Sequence, residues 1–337
     1  MKALVTGGAG FIGSTLVDRL LAEGHSVDVI DDLSTGSLAN LASARADRAN
    51  QLTFHQLDLR SPGTVDLIAR RAPEVVFHLA AQMSVRESVA RPAYDAEINL
   101  IGGINVLEGA RAAGANKIVF ASSGGTIYGA ADPSDLPLKE SQPQRPLSPY
   151  GIAKKAFSDY LHAYRELYGL EYTALALANI YGPRQDPHGE AGVVAIFAGH
   201  LLNGEPCTVF GDGSKTRDYV YVDDVVDAFV RAAERGGGLL CNIGTGVQTS
   251  DLHLYETMAQ AAGVLSPPLF APDRPGDLQR SALDPGRWWP RALCTAFGVT
   301  ASLVDATGRD PGRHALAELL GQLCEVHSRP DLPEPIA

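Results

Sequence analysis

In the first half of the chain, short apolar runs closed by Gly, Asp or Ser alternate with longer stretches whose apolar positions recur at helical spacing. That alternation predicts strand-helix units on a parallel sheet, since a strand buried on both faces reads as a continuous apolar run. The predicted strands are Ala3–Thr6, Ser26–Ile30 closed by Asp31, Leu52–His55, Glu74–Leu79 and Lys117–Ala121. Helices are predicted from Phe11 to Glu23, ended by Gly24, from Ile98 to Ala113, and from Tyr150 to Tyr168 after the turn-prone Pro146-Leu-Ser-Pro149. Near residue 180 the grammar changes to a loop over residues 181–189, then short strands and helices broken by Pro and Gly. Residues 1–178 are therefore expected to carry the sheet and 179–327 mainly a smaller mixed lobe, with proline-rich 328–337 a flexible tail.

A length of 337 residues, 45% hydrophobic and 20% charged, suits a globular chain of two domains or one large α/β unit. With 28 Lys and Arg against 39 Asp and Glu the net charge is −11, so no positive field draws in nucleic acid or an anionic membrane. An anionic ligand must be held locally. Cys207, Cys241, Cys294 and Cys324 stand far apart, which argues against a zinc site or disulfide framework and for reduced thiols; no metal is expected. The absence of a leader pattern or a long apolar run makes a cytoplasmic protein the expectation.

Gly7-Gly-Ala-Gly-Phe-Ile-Gly13 follows the first predicted strand and opens the first helix. Glycines there let the backbone turn tightly and approach a pyrophosphate, which meets the positive end of the helix. Gly7, Gly10, Phe11, Ile12 and Gly13 are the candidate contacts. Asp31, at the end of the second strand, can accept both hydroxyls of an adenosine ribose and would repel a 2′-phosphate, so NAD is favoured over NADP. The fold class expected is thus α/β, a Rossmann-like doubly wound parallel sheet with a smaller C-terminal substrate lobe. Asp32 and Ser34 are adjoining candidates, Asp32 with plain turn chemistry as its alternative. Asp58 and Leu59 after the third strand, and Leu79, Ala80, Ala81 and Gln82 after the fourth, lie where such sheets bind ligands. His78, set among apolar residues, is read as a structural histidine.

Tyr150 and Lys154 are four apart on one face of a predicted helix. A phenol with pKa near 10 is a poor base at neutral pH, but a neighbouring ammonium and a positive nicotinamide favour its phenolate. After the fifth strand, Ser122-Ser-Gly-Gly-Thr126 sets hydroxyls where a substrate oxygen can be held beside Tyr150.

These three features in this order resemble the extended short-chain dehydrogenase/reductase superfamily. His78-Leu-Ala-Ala-Gln82, Asn99, Ser148-Pro-Tyr-Gly151, the 179–192 segment, Gly211-Asp-Gly213, Thr216-Arg-Asp218 and Asn242-Ile-Gly-Thr-Gly246 extend the likeness. Over residues 1–285 the chain is similar to the UDP-glucose 4-epimerase family. The resemblance implies a tightly held NAD, contacted also by Asn99 and Ser122, that stores a hydride from the sugar C4. Tyr150 takes the 4-hydroxyl proton, Lys154 tunes Tyr150 and grips the nicotinamide ribose, and a 4-keto sugar turns over before hydride returns. It also implies a homodimer through the Ile98 and Tyr150 helices.

Two positions depart from the family pattern: Gly124 stands where a serine is usual, leaving the hydroxyl role to Thr126 or Ser123, and Ala176 where an arginine is common. For the UDP-sugar, the family pattern points to Arg217 and Arg274 at the diphosphate, Asn179 at diphosphate or sugar, Thr208-Val209-Phe210 at uracil, and Ser84, Val193 and Val194 at the substrate. Arg184 and the space at Gly124 suggest room for a C6 carboxylate, making UDP-glucuronate an alternative to UDP-glucose. Competing activities are a nucleotide-sugar 4,6-dehydratase or UDP-glucuronate decarboxylase; a non-enzymatic NAD sensor is the reading from another class.

Overall fold

The computed structural model describes residues 1–48, 51–187, 192–274 and 277–287. Strands β1 (Lys2–Thr6), β2 (Ser26–Asp31), β3 (Leu52–Gln56), β4 (Val75–His78), β5 (Lys117–Ser123) and β6 (Glu171–Leu177) come first along the chain. β7 (Asn179–Tyr181), β8 (Thr208–Phe210), β9 (Thr216–Arg217), β10 (Tyr219–Tyr221), β11 (Leu239–Ile243), β12 (Thr249–Ser250) and β13 (Leu269–Ala271) follow. Seven of them form one sheet in the order β11-β6-β5-β4-β1-β2-β3, with every neighbouring pair parallel. The order reverses between β1 and β4, so the crevice beyond their carboxyl ends is where a nucleotide binds in such folds.

Alternation along the strands builds two cores. Ala3, Val5, Val29, Phe77 and Val119 face a layer with Leu16, Val17 and Leu20 of the Phe11–Ala22 helix, while Leu4, Ile30, Val76, Ile118 and Phe120 face Val106, Leu107 and Phe157. These side chains are almost fully buried. The expected Rossmann-like α/β architecture is what the structure shows.

Three local expectations change. The stretch predicted as a helix from Ile98 opens with a π-helical turn, Glu97–Gly102, before the Gly103–Ala113 α-helix. A Cβ at Gly103 would sit 2.5 Å from the Phe157 ring, so the element presses directly on its neighbour. β5 runs on through Ser122 and Ser123, which pair with Ala176 and Leu177 of β6, so both serines sit in the ladder rather than in a turn. Division at residue 178 is not a clean cut: β11 returns to edge the main sheet, and the Val222–Ala232 helix packs on Phe11–Ala22.

Beyond it, three two-stranded sheets, β10-β7, β12-β9 and β13-β8, make the smaller lobe. Cys207 and Cys241 are buried thiols, pushed up by burial to about 11 and about 12. Cys294, Cys324, the lobe beyond residue 287 and the predicted tail at 328–337 lie outside the described residues. Among the described residues no helix is long and apolar enough to cross a membrane.

Candidate active site

The glycine loop is shaped by contacts that exclude side chains. Gly7 has φ +71°, and a Cβ on it would lie 2.7 Å from the Ala80 backbone nitrogen at the end of β4. A Cβ on Gly13 would lie 2.1 Å from the Gly7 carbonyl oxygen. Gly10 is the N-cap of the Phe11–Ala22 helix, so the first-turn amides of Phe11, Ile12 and Gly13 gather at the carboxyl ends of β1 and β4. Asp31 accepts from the Ala9 amide (2.9 Å) and the Leu33 amide (2.8 Å), tying the loop to β2. Burial raises its pKa while those two bonds oppose the shift. Two acceptor sites per carboxylate oxygen leave capacity for ribose hydroxyls. Asp32 instead closes a local turn, accepting from the Ser34 amide (2.9 Å) and hydroxyl (2.6 Å), and both residues are exposed.

Asp58 is clamped by Arg60, whose Nη2 lies 2.6 Å from Oδ2, and that hydrogen bond holds its carboxyl below the usual range. Leu59 is buried against Gly102. After β4, Leu79, Ala80 and Ala81 are half-buried. Gln82 and Asn99 exchange hydrogen bonds of 2.9 Å, from Gln82 N to Asn99 Oδ1 and from Asn99 Nδ2 to Gln82 O. His78 is structural as read: buried, 2.7 Å from the Thr6 hydroxyl, stacked on Phe120, and kept neutral by burial, which takes its pKa to about 3.

Ser148 caps the Pro149–Tyr168 helix, its hydroxyl accepting from the Gly151 amide at 3.1 Å, and Pro149 takes the first-turn position where its missing N–H costs nothing. Tyr150 and Lys154 therefore face the end of β5 from adjacent turns. Lys154 Nζ donates to the Ala121 carbonyl (2.8 Å) and lies 5.6 Å from the centre of the Tyr150 ring. Burial pushes this ammonium down to about 7. Burial likewise pushes the Tyr150 phenol up to about 12, opposed by a hydrogen bond with Ser123. The net shift of Tyr150 is thus upward rather than the lowering expected from Lys154, because burial outweighs the groups that favour the phenolate.

Between the two hydroxyl candidates the structure distinguishes. Ser123 acts on the Tyr150 phenol, lowering its pKa, whereas Thr126 Oγ1 reaches back 3.5 Å to the Ser123 carbonyl. Gly124 has its own explanation: a Cβ there would lie 2.3 Å from Cδ1 of the buried Leu283, which fills the space a serine would need.

Residues 3–244 match the NAD dependent epimerase/dehydratase family. The chain is 53% identical over 309 residues to a UDP-glucose 4-epimerase of Mycolicibacterium smegmatis, covering 90% of this chain and 97% of the relative. The chain belongs to the UDP-glucose 4-epimerase family. A Thermotoga maritima UDP-glucose 4-epimerase solved with UDP-glucose superimposes with a TM-score of 0.82 at 40% identity, over 96% of this chain and 99% of that one. A Thermus thermophilus UDP-glucose 4-epimerase in complex with NAD gives 0.81 at 41% identity, over 95% and 98%. The non-enzymatic reading is set aside, since membership makes the chain a nucleotide-sugar 4-epimerase. NAD is the family's cofactor, and these residues fit it: a cradle that only glycine permits, the Asp31 carboxylate, and the buried Ser122 Oγ, which has no hydrogen-bond partner among the described residues.

On the substrate side of this epimerase-family site the expected residues divide. Asn179 on β7 is half-buried and donates its amide to Asp218 O (2.9 Å). Arg217 Nη1 rests on Thr216 O (2.8 Å), and Arg274 stacks on the Phe210 ring at 4.1 Å, with Nε 3.2 Å from Asp277. The two arginines converge through Lys215, which shares Asp277 with Arg274 and whose carbonyl accepts from the amide of Asp251, two residues after the Thr249 that pairs with Arg217. Thr208 and Phe210 lie half-buried, but Val209 and Val194 are packed in the core, so neither side chain is offered to a ligand; Val193 packs partly buried against that core. Ser84 caps the Val85–Ala90 helix through the Glu87 amide (3.0 Å).

Arg184 departs most from expectation. It adopts a left-handed φ of +70°, and its guanidinium donates to Asp18 (2.6 Å) and Ser14 (3.2 Å) of the first helix. Its partners in this structure are therefore Asp18 and Ser14.

Sequence reasoning missed Asp95 and Lys215. Asp95 Oδ1 accepts from both Gln82 Nε2 and Asn99 Nδ2 at 2.9 Å. Lys215, 3% exposed, holds Asp273 (2.9 Å) and Asp277 (3.1 Å), the residues flanking Arg274. A signal for Lys215 was its place directly before Thr216-Arg217; nothing about a single acid in a five-residue helix marks Asp95.

Proposed function

We propose that the chain interconverts UDP-glucose and UDP-galactose by inverting C4 through a 4-keto intermediate. NAD, when bound, supplies the acceptor and later the donor of the C4 hydride. Tyr150 holds the proton of the 4-hydroxyl, taking it as the carbonyl forms and returning it afterwards, while Ser123 orients that oxygen. Lys154 keeps positive charge beside the phenol. Asn179, Arg217 and Arg274 hold the diphosphate and Phe210 the uracil, giving a net-acidic chain the local cations its anionic ligand needs. The observation that carries the reading is the placement of buried Lys154, bonded to Ala121 O at the carboxyl end of β5, 5.6 Å from the centre of the Tyr150 ring.

Neutral hexoses are favoured over UDP-glucuronate because the Arg184 guanidinium is already paired with Asp18. A dehydratase needs a further acid and base after the threonine, and Ile127 and Tyr128 stand there. Exposed Ile101, Ile152, Tyr160 and Leu167 on the two expected helices support a homodimer, which light scattering would detect. The buried thiols suit a reducing cytoplasm.

The test is incubation with separate UDP-hexoses and UDP-uronates, without added NAD, and chromatography of the products. UDP-galactose from UDP-glucose is expected. Loss of water or carbon dioxide from the substrate would replace this reading with a dehydratase or decarboxylase.

A further inference from the structure

Asp95 is a buried acid to which the mechanism above gives no part. It is 1% exposed, on the short Pro92–Ala96 helix that packs against the Pro149–Tyr168 helix bearing the reacting pair. One oxygen, Oδ1, is saturated by Gln82 and Asn99; the other, Oδ2, is buried with no hydrogen-bond partner among the described residues. A buried carboxylate oxygen left this way costs stability unless a nearby charge compensates. The compensating cation is Lys154, whose charge Asp95 favours and which in turn favours the Asp95 anion. The same anion acts on Tyr150.

We infer that Asp95 is the positioning residue of the catalytic pair: it is the fixed counter-charge of Lys154, and it locks Gln82 and Asn99 at the cofactor's side of the site. This rests on the epimerase reading above. Its two effects have one origin. A carboxylate that holds both amides with Oδ1 leaves Oδ2 free of them, on a helix that packs against the Tyr150 helix.

Other ionisable groups around the pair are accounted for. His78 on β4 is buried and neutral. On the surrounding helices Glu87 pairs with Arg91, Glu97 with Arg60, and Lys155 with Asp159, while Arg86 is exposed and has a partner of its own. Asp95 is therefore the acid in the described surroundings able to tune Lys154 and Tyr150 together.

The sign of the effect follows. An anion beside two titrating groups raises both pKa values, so deleting it lowers both. Asp95→Asn retains an oxygen for Gln82 and Asn99 and removes the charge. Activity needs the phenolate and the charged lysine together, so the two pKa values bound the active pH range. Both limbs of the kcat profile in Asp95→Asn are expected to move to lower pH by about one unit or more, the size of a nearby-charge effect. A role confined to holding the two amides would lower kcat at every pH without moving the profile.

A second readout does not depend on turnover. The phenolate of Tyr150 is followed by ultraviolet difference spectra of the NAD-retaining protein, with Tyr150→Phe in each background subtracted. The Tyr150 midpoint is expected to fall in Asp95→Asn. Unmoved limbs together with an unmoved phenol midpoint overturn the inference. A wild type that fails to epimerise UDP-glucose sinks the proposed function instead, and the phenol titration still decides for or against Asp95.

Discussion

Replacing Gly13 by alanine sets two effects against each other, and the geometry says which prevails. Alanine in place of glycine inside a helix is worth about 1 kcal/mol in favour of the variant. Against this, the new Cβ would lie 2.1 Å from the Gly7 oxygen, 2.8 Å from its carbonyl carbon and 2.9 Å from the Gly8 Cα. All three are backbone atoms, so no rotamer change relieves the contact. To reach an ordinary separation the helix start must retreat about 1 Å from the loop, an overpacking cost of roughly 1–3 kcal/mol. A displacement of that size in a binding cradle costs about a hundredfold. Gly13→Ala is therefore expected to fold, with a melting temperature within a few degrees of wild type, and to bind NAD about a hundredfold more weakly. Calorimetric titration of stripped protein with NAD, and the NAD content of protein as purified, measure this. Gly63, whose added Cβ would meet only the Ser61 hydroxyl at 4.0 Å, supplies the control. Wild-type NAD affinity in Gly13→Ala would refute the argument that helix, loop and cofactor share this space.

Lys154→Met is expected to stabilise the NAD-stripped protein while abolishing epimerisation. The native lysine has its pKa depressed from 10.5 to about 7 by burial, so its penalty, a few kcal/mol, is full below about pH 7 and fades as pH rises toward 10.5. The gap in melting temperature between variant and wild type should shrink accordingly; a gap independent of pH contradicts it. Gly124→Ser should destabilise by about 1–3 kcal/mol through its 2.3 Å clash with Leu283, and part of that loss should return in the double variant with Leu283→Ala, measured by denaturant unfolding. Arg184→Ala removes a half-exposed ion pair worth about 0–1 kcal/mol and should leave the ratio of UDP-glucose to UDP-glucuronate turnover unchanged. A selective loss on the uronate would restore the carboxylate contact.

Much of the sheet was legible because parallel strands are continuous apolar runs. Ala3–Thr6, Ser26–Ile30 and Lys117–Ala121 announce themselves, and glycine spacing plus Asp31 places the nucleotide crevice. What eluded the sequence were contacts between distant segments. Nothing near Gly124 in the chain says that Leu283 fills its place, and nothing near Arg184 says that Asp18 and Ser14 will take its guanidinium. Val194 and Val209 were candidates by position in a motif, yet strand and helix periodicity turns them into the core. Return of β11 to the main sheet was equally hidden, because a five-residue apolar strand looks the same in either lobe.

The central claim is that one hydride leaves C4 and returns to the same carbon on its other face. UDP-glucose carrying deuterium at C4, incubated with the purified chain in ordinary water, tests it directly by mass spectrometry and NMR of the product. The account predicts UDP-galactose that keeps its deuterium at C4, and no product from Tyr150→Phe at a comparable rate. Product that has exchanged its label for solvent hydrogen would contradict it.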